Sequence, residues 1–378
     1  MSVINNTTLV FDEDQAMILD VARDFCRQRS PISAVRAQLD TPLGYDEALW
    51  QELVGLGWPG LALPASVGGS GLGIRHAVGI AEAMGRAMLG TPLISTTLAA
   101  QLVARATAEA RVDEFLADVA AGVPATVALL EGPDWGADTC QCLFDEGGVL
   151  QGAKQYVPDA QAAGWFVVVT RHHNLPALAL VRASQLRDGA ISPHTLIDET
   201  KRAATVDFTG VQLTPDAIIA GEQVTVALCD FYLLGALLTA AEAAGSAGAC
   251  LDTTVDYLKT RKQFGKLIGS YQALKHPCVD ILMGVDAARS FVYHAASLLD
   301  DGAFDRDAEI ACRMAKAQSS EVLLQAGDRA VQFHGGMGFT YECDAQLYIR
   351  RAQWSSQQFG DALHHRKRLA ALLLDAAA

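Results

Sequence analysis

Basic clusters are missing from this 378-residue chain, which holds 29 Lys and Arg against 43 Asp and Glu, a formal charge of −14. Nucleic acid is gripped mainly through cationic contacts to phosphate, so no nucleic-acid partner is expected. Metal-type cysteine spacing is missing as well. The eight cysteines are scattered at 26, 140, 142, 229, 250, 278, 312 and 343, and none stands beside a histidine at ligand distance. Cys140 and Cys142 alternate as in a strand. Buried thiols in a reducing compartment are expected, and no metal. The opening "MSVINNTTLVFDEDQ" lacks the basic-then-apolar pattern of a secretory signal, which predicts a cytoplasmic protein. No fixed-period repeat and no low-complexity tract occurs, which excludes a repeat array.

Long uncharged stretches are scarce, with one exception. From Phe231 to Leu251 the only charge is Glu242. The length fits a membrane span. The run is rich in Ala, Gly, Ser and Thr, however, and a carboxylate at mid-bilayer is costly. A buried helix is expected there, and no membrane span.

What is abundant is apolar residues, 51% of the chain, enough for a large core. The length predicts two or three domains. Residues 1–122 read as helical: "DEDQAMILDVARDFCRQ" spaces Met17, Ile18, Val21, Ala22 and Phe25 on one face and starts acidic, as helix N-termini prefer. "YDEALWQELVGLGW" is a second helix, closed by Gly57 and Pro59. Residues 123–222 hold short β-type runs separated by Gly, Asp and Pro turns, with "DEGG" marking a hairpin. Residues 223–378 return to helix, with a very long first one, and their short connections predict an antiparallel bundle. The expected fold is therefore α+β and multidomain: an N-terminal helical domain, a middle β-barrel or sandwich, and a C-terminal four-helix bundle.

Two segments carry chemistry. "YLKTRKQFGKLIGSYQALKH" (257–276) and "AVQFHGGMGFT" (330–340) resemble, in order and separation, the R-x-x-F-G…Q and Q-x-x-G-G-x-G-F/Y elements of the acyl-CoA dehydrogenase family. The resemblance covers nearly the whole chain. It implies FAD, whose adenine-diphosphate half, belonging to a neighbouring subunit, would lie against Gln332, Gly335 and Gly336. Arg261 would face the pyrophosphate, to which a guanidinium fork is well matched. Lys262, Gln263, Phe264, Tyr271 and Gln272 would lie close by. Without the resemblance, the glycines could simply end a helix and the basic pair could be a solvated helix end. The reaction implied is α,β-desaturation of an acyl-CoA thioester, with a carboxylate taking the α-proton and the flavin the β-hydrogen as hydride. An electron-transfer flavoprotein would accept the electrons, and a homo- or hetero-tetramer is implied.

The base departs from the family pattern. The C-terminal family glutamate aligns with Phe359 of "QQFGDALHHR", and the alternative helix position falls near Gly235. Glu242, two turns further along the helix, is the first candidate, because a carboxylate in so apolar a setting is expected to titrate high. The structural alternative pairs it with an arginine such as Arg289. Asp361 is the second candidate, its alternative role being the N-cap of the last helix. His364 and His365 read as surface or capping residues. In the β domain the family's T-E-P-x-x-G-S-D stretch is reduced to "LLEGPDWGAD", in which Glu131 and Asp138 persist, and the flavin is expected along Leu130 and Asp138. The W-I-T element is replaced by "GAKQYVPDA". The chain's own flavin half-site is thus depleted of hydroxyls, while the half lent to a neighbour is complete. That asymmetry resembles bacterial heterotetramers in which one subunit is degenerate, as in members that degrade steroid side chains. Three readings follow: a dehydrogenase, bulky acyl groups included; a non-catalytic partner subunit; and a flavin oxidase or monooxygenase on the same fold.

Overall fold

The computed structural model describes residues 13–132, 140–145, 147–172, 175–299 and 304–374. In chain order these form α1 (Glu13–Arg29), α2 (Ile32–Gln38), α3 (Glu47–Gly55), α4 (Arg75–Arg86), α5 (Leu93–Ala106) and α6 (Asp113–Ala120). Nine strands follow: β1 (Ala125–Ala128), β2 (Leu143–Phe144), β3 (Leu150–Gln151), β4 (Ala153–Pro158), β5 (Trp165–His172), β6 (Leu175–Arg182), β7 (Ile191–Pro193), β8 (Ala203–Asp207) and β9 (Ile218–Ala220). The chain then enters α7 (Glu222–Thr260), the hairpin β10 (Lys262–Gln263) and β11 (Lys266–Leu267), α8 (Gln272–Ser297), α9 (Arg306–His334), α10 (Ala345–Gln357) and α11 (Ala362–Leu374).

The element ends follow local chemistry. α1 opens on Glu13 and Asp14 and closes on Arg27 and Arg29, the charge order that the helix dipole favours. Asp46 caps α3 by accepting from the Ala48 amide at 2.9 Å, and Gly57 ends it at φ 73°. Asp305 caps α9 through the Ala308 amide at 2.8 Å.

The chain divides into two compact units. One comprises residues 37–73 and 90–234. Its main sheet runs β1-β5-β6-β9, with β1 parallel to β5 and the other pairs antiparallel; a second sheet runs β4-β8-β7. Phe166, Val168, Val181, Val206 and Phe208 form the core of this unit. The expected hairpin at 145–148 joins β2 to β3, pairing Leu143 with Gln151. The Asp145 carboxylate accepts the Gly147 and Val149 amides at 2.9 Å each, a turn closed from its own side chain.

The other unit comprises residues 1–36, 74–89 and 235–378. Here α9 packs against α8, α10 and α11. α4 meets α7 through two glycines. A Cβ on Gly85 would overlap the Glu242 carbonyl, and one on Gly245 would overlap that of Glu82. Helix α7 is the one described helix long and apolar enough to cross a membrane, yet Ala236, Leu237, Ala240, Ala241, Ala244 and Ala247 are all buried within the protein. None of the eight cysteines is in a disulfide, and burial pushes the Cys26 and Cys312 thiols up to about 12, so neither ionises near neutrality.

Candidate active site

The two motif segments meet at one end of the helical unit. Tyr257, in the last turn of α7, stacks on His334, the last residue of α9, with ring centroids 4.1 Å apart. The His334 ring is fixed in turn by a 2.7 Å hydrogen bond between Nδ1 and the Ala330 carbonyl. Beyond Tyr257 the chain reaches Arg261 and folds into the β10–β11 hairpin, whose two turn residues, Phe264 and Gly265, have φ of 52° and 78°. Both central residues in the left-handed region define the tight turn that matches strand twist, and glycine usually carries it. A phenylalanine held there is conformationally costly, the kind of strain that clusters at functional sites. Its ring is 90% exposed.

The glycines divide by role. A Cβ on Gly338 would overlap the Val331 carbonyl, so this glycine serves the chain's own turn. Gly335 and Gly336 have open space where a side chain would project, and Gly335 sits at φ 62°, ψ −140°. Bare backbone is thus presented to the outside. Gln332 ends α9 by accepting the Gly335 amide on its carbonyl, leaving its side chain exposed. Arg261, Gln263 and Gln272 are also exposed, and the Arg261 guanidinium makes no ion pair among the described residues. A free guanidinium beside uncovered main chain suits a diphosphate, so the residues present fit the group that the resemblance implies.

Phe359 and Gly235, at or near which the resemblance aligns the family's base, are in contact with each other. The Phe359 ring lies against Gly235, where a Cβ would overlap its edge. Both positions are apolar. Glu242 is 2% exposed and bound to Arg351, itself fully buried, at 3.1 Å. The setting is therefore not the uncharged one expected, and an arginine that binds it is Arg351. Arg289 binds Glu82 at 2.7 Å, and Tyr293 donates to the same carboxylate. Asp361 is exposed and accepts the His364 amide on Oδ1 at 2.7 Å, capping α11. His365 departs from the surface role expected. It is 1% exposed, and its Nε2 lies 3.1 Å from the Phe359 carbonyl. Burial first, and then the nearby cations Lys316 and Arg313, push its imidazole down to about 3.

Lys316 is the residue the sequence reading missed. It is fully buried, in α9, and its Nζ donates to Ser320 Oγ (2.9 Å) and to the carbonyls of Ser355 (3.1 Å), Ser356 (3.3 Å) and Gly360 (3.0 Å). Its register was legible: Cys312 and Ser320, four residues either side, are also buried, so Lys316 lies on the apolar stripe of its helix. A charge there must find polar partners.

In the β unit, Leu130 is buried and its carbonyl accepts the Gln155 amide at 2.7 Å. Glu131 binds the buried Lys154 and accepts the Cys142 amide at 2.8 Å. Burial works against the ionised form of Glu131, but Lys154 and the two amides hold its carboxyl below the usual range. Asp138 lies outside the described residues.

Known proteins carry the same pattern. The chain matches the acyl-CoA dehydrogenase N-terminal domain over residues 12–123 and the C-terminal domain over residues 231–374. It is 31% identical over 360 residues to the acyl-CoA dehydrogenase IpdE2 of Mycolicibacterium smegmatis, covering 95% of this chain and 98% of that protein. A solved variant of the Tcur3481-Tcur3483 steroid ACAD superposes with a TM-score of 0.80 at 28% identity, covering 97% of this chain and 99% of that one. The ChsE4-ChsE5 complex of Mycobacterium tuberculosis shares the fold, with a TM-score of 0.84 at 22% identity over 96% of this chain and 98% of that one. Matched over both helical segments and by a relative covering 95% of it, the chain belongs to the acyl-CoA dehydrogenase family, whose members are flavin-dependent oxidoreductases.

Proposed function

We propose that this chain works in a homo- or hetero-tetramer to carry out FAD-dependent α,β-dehydrogenation of an acyl-CoA, bulky or steroid-derived acyl groups included. The observation that carries this is the convergence of Arg261 with the open Gly335–Gly336 backbone through the Tyr257–His334 stack. In this reading Arg261 holds the pyrophosphate of a neighbouring subunit's FAD, and Gln263, Phe264, Gln272, Gln332, Gly335 and Gly336 line that half. Leu130 would lie along the chain's own flavin. When bound, FAD supplies the hydride acceptor. The chain must supply a proton acceptor, and Asp361 is the better placed carboxylate. It is exposed, stands two residues past Phe359, and has Oδ2 beyond the cap. Glu242 is closed in by Arg351. A steroid ACAD among the similar structures supports the bulky acyl group. Electrons would pass to an electron-transfer flavoprotein in the cytoplasm.

A second reading is favoured by one observation. The Phe359–Gly235 contact fills the family base position with apolar groups, as suits a subunit that completes the flavin site of a paralogous chain. The test is the absorbance of the purified protein near roughly 450 nm, alone and co-expressed with a paralogue, and its bleaching by a panel of acyl-CoAs. If Asp361→Asn abolishes bleaching and Glu242→Gln does not, the catalytic reading stands. Bleaching that survives both assigns the base to another chain. No flavin in either preparation sinks both readings.

A further inference from the structure

The turn between α10 and α11 is held from beneath by one buried cation. Ser355 and Ser356 lie in the last turn of α10, where carbonyls have no partner within the helix and the dipole is negative. Lys316 reaches both from α9 and adds the Gly360 carbonyl three residues after the helix has ended. An ammonium has three donors, and here every acceptor but Ser320 Oγ is main chain of this one turn. His365 meets the Phe359 carbonyl from the α11 side. Phe359 and Gly360 take φ of 56° and 98°, a conformation that a phenylalanine does not hold without support. The result of these constraints is the placement of one ring against Gly235, the α7 residue that lacks the atom the ring would strike.

We infer that Lys316 is a positioning residue of the acyl end of the site, and that the Phe359 ring it fixes against Gly235 determines which acyl groups the site admits. This rests on the dehydrogenase reading, since that reading places the reacting carbons near Phe359. Lys316 itself touches neither substrate nor cofactor. It acts through the turn. A ring whose own carbonyl and the next one, on Gly360, are both held is a rigid wall, and small changes in such a wall move specificity more than they move stability.

Two measurements on the holoprotein, with any chain that co-purifies, test the inference. In the first, 4-fluorophenylalanine replaces Phe359 and its ¹⁹F resonance is recorded. One narrow line, displaced from that of the free amino acid, is expected. Lys316→Met should broaden the line or return it toward the free position while far-UV circular dichroism stays unchanged. An unmoved, equally narrow line in Lys316→Met overturns the positioning role. In the second, kcat/KM is compared for a straight-chain and a ring-bearing acyl-CoA. Phe359→Ala should shift their ratio by about tenfold or more toward the larger group, with Lys316→Met moving it the same way. An unchanged ratio in Phe359→Ala overturns the specificity role, and this variant carries the test if Lys316→Met does not fold. A holoprotein that no acyl-CoA bleaches defeats the dehydrogenase reading instead, and the fluorine measurement still reports on the Phe359 turn.

Discussion

At the residue scale, the buried charges decide more than the exposed ones. Lys316 is the clearest case, because no carboxylate among the described residues touches it. Burial pushes its ammonium down to about 7, against the pull of Asp361. Arg313 on α9 and His364 and His365 on α11 face the same turn. An unfolded lysine keeps its proton up to about 10.5. Between pH 7 and 10.5 the unfolded chain therefore binds the extra proton, and stability rises with pH by up to about 1.4 kcal/mol per unit. Urea unfolding across that window should show the rise in the wild type and a flatter profile in Lys316→Met. His365 works at the acid end. Its folded value near 3 lies below the unfolded one, so its contribution is lost as pH falls from about 6.5 toward 3. Glu242 shows what the sequence disclosed and what it withheld. Its isolation among apolar residues announced burial. Its partner, Arg351, is 109 residues away, and only the packing of α7 against α10 brings the two together.

At the element scale, α7 was legible as a long buried helix, but the use of its small residues was not. Gly235, Ala236, Ala240, Ala241 and Gly245 fit a wide pocket as well as they fit close packing. The structure assigns Gly245 to packing, since its Cα faces the Glu82 carbonyl on α4, and Gly85 returns the contact on Glu242. Ser246 ties the crossing with a 2.8 Å bond from Oγ to the Gly85 carbonyl. Helices meeting this closely have no room for a methyl. Gly245→Ala must push α4 and α7 apart, at a cost of about 1–3 kcal/mol or more for an overpacked core. The expected outcome is a lowered thermal midpoint with flavin content per folded chain retained. An unchanged midpoint would show that the helices separate freely there. A pattern of small residues cannot distinguish these uses, because both demand the same missing volume and differ only in what fills it.

At the scale of the whole molecule, the features most legible in sequence are those a single chain leaves unfinished. The Arg261 and Gly335–Gly336 segments stood out in sequence through their resemblance to the family's elements, and among the described residues nothing lies where a side chain on Gly335 or Gly336 would project. Phe264, Met337, Phe339 and Tyr341 are exposed around the same end, an apolar rim that a second subunit would cover. The β unit was less readable: Glu131 matched the family stretch, but its tie to Lys154 depends on strand register. Arg261→Ala separates the grip from the fold. The guanidinium is exposed and outside any ion pair among the described residues, so apoprotein stability should change by less than about 0.5 kcal/mol. A charge-assisted hydrogen bond to phosphate is worth about 1.5–3 kcal/mol, so FAD should bind about ten- to a hundredfold more weakly, read as flavin lost per chain on gel filtration. On the proposed reading the flavin so held belongs to the neighbour, so mixing Arg261→Ala with a paralogous chain should strip the paralogue's flavin and leave this chain's own. Loss confined to this chain's flavin would mean that the grip closes within one subunit.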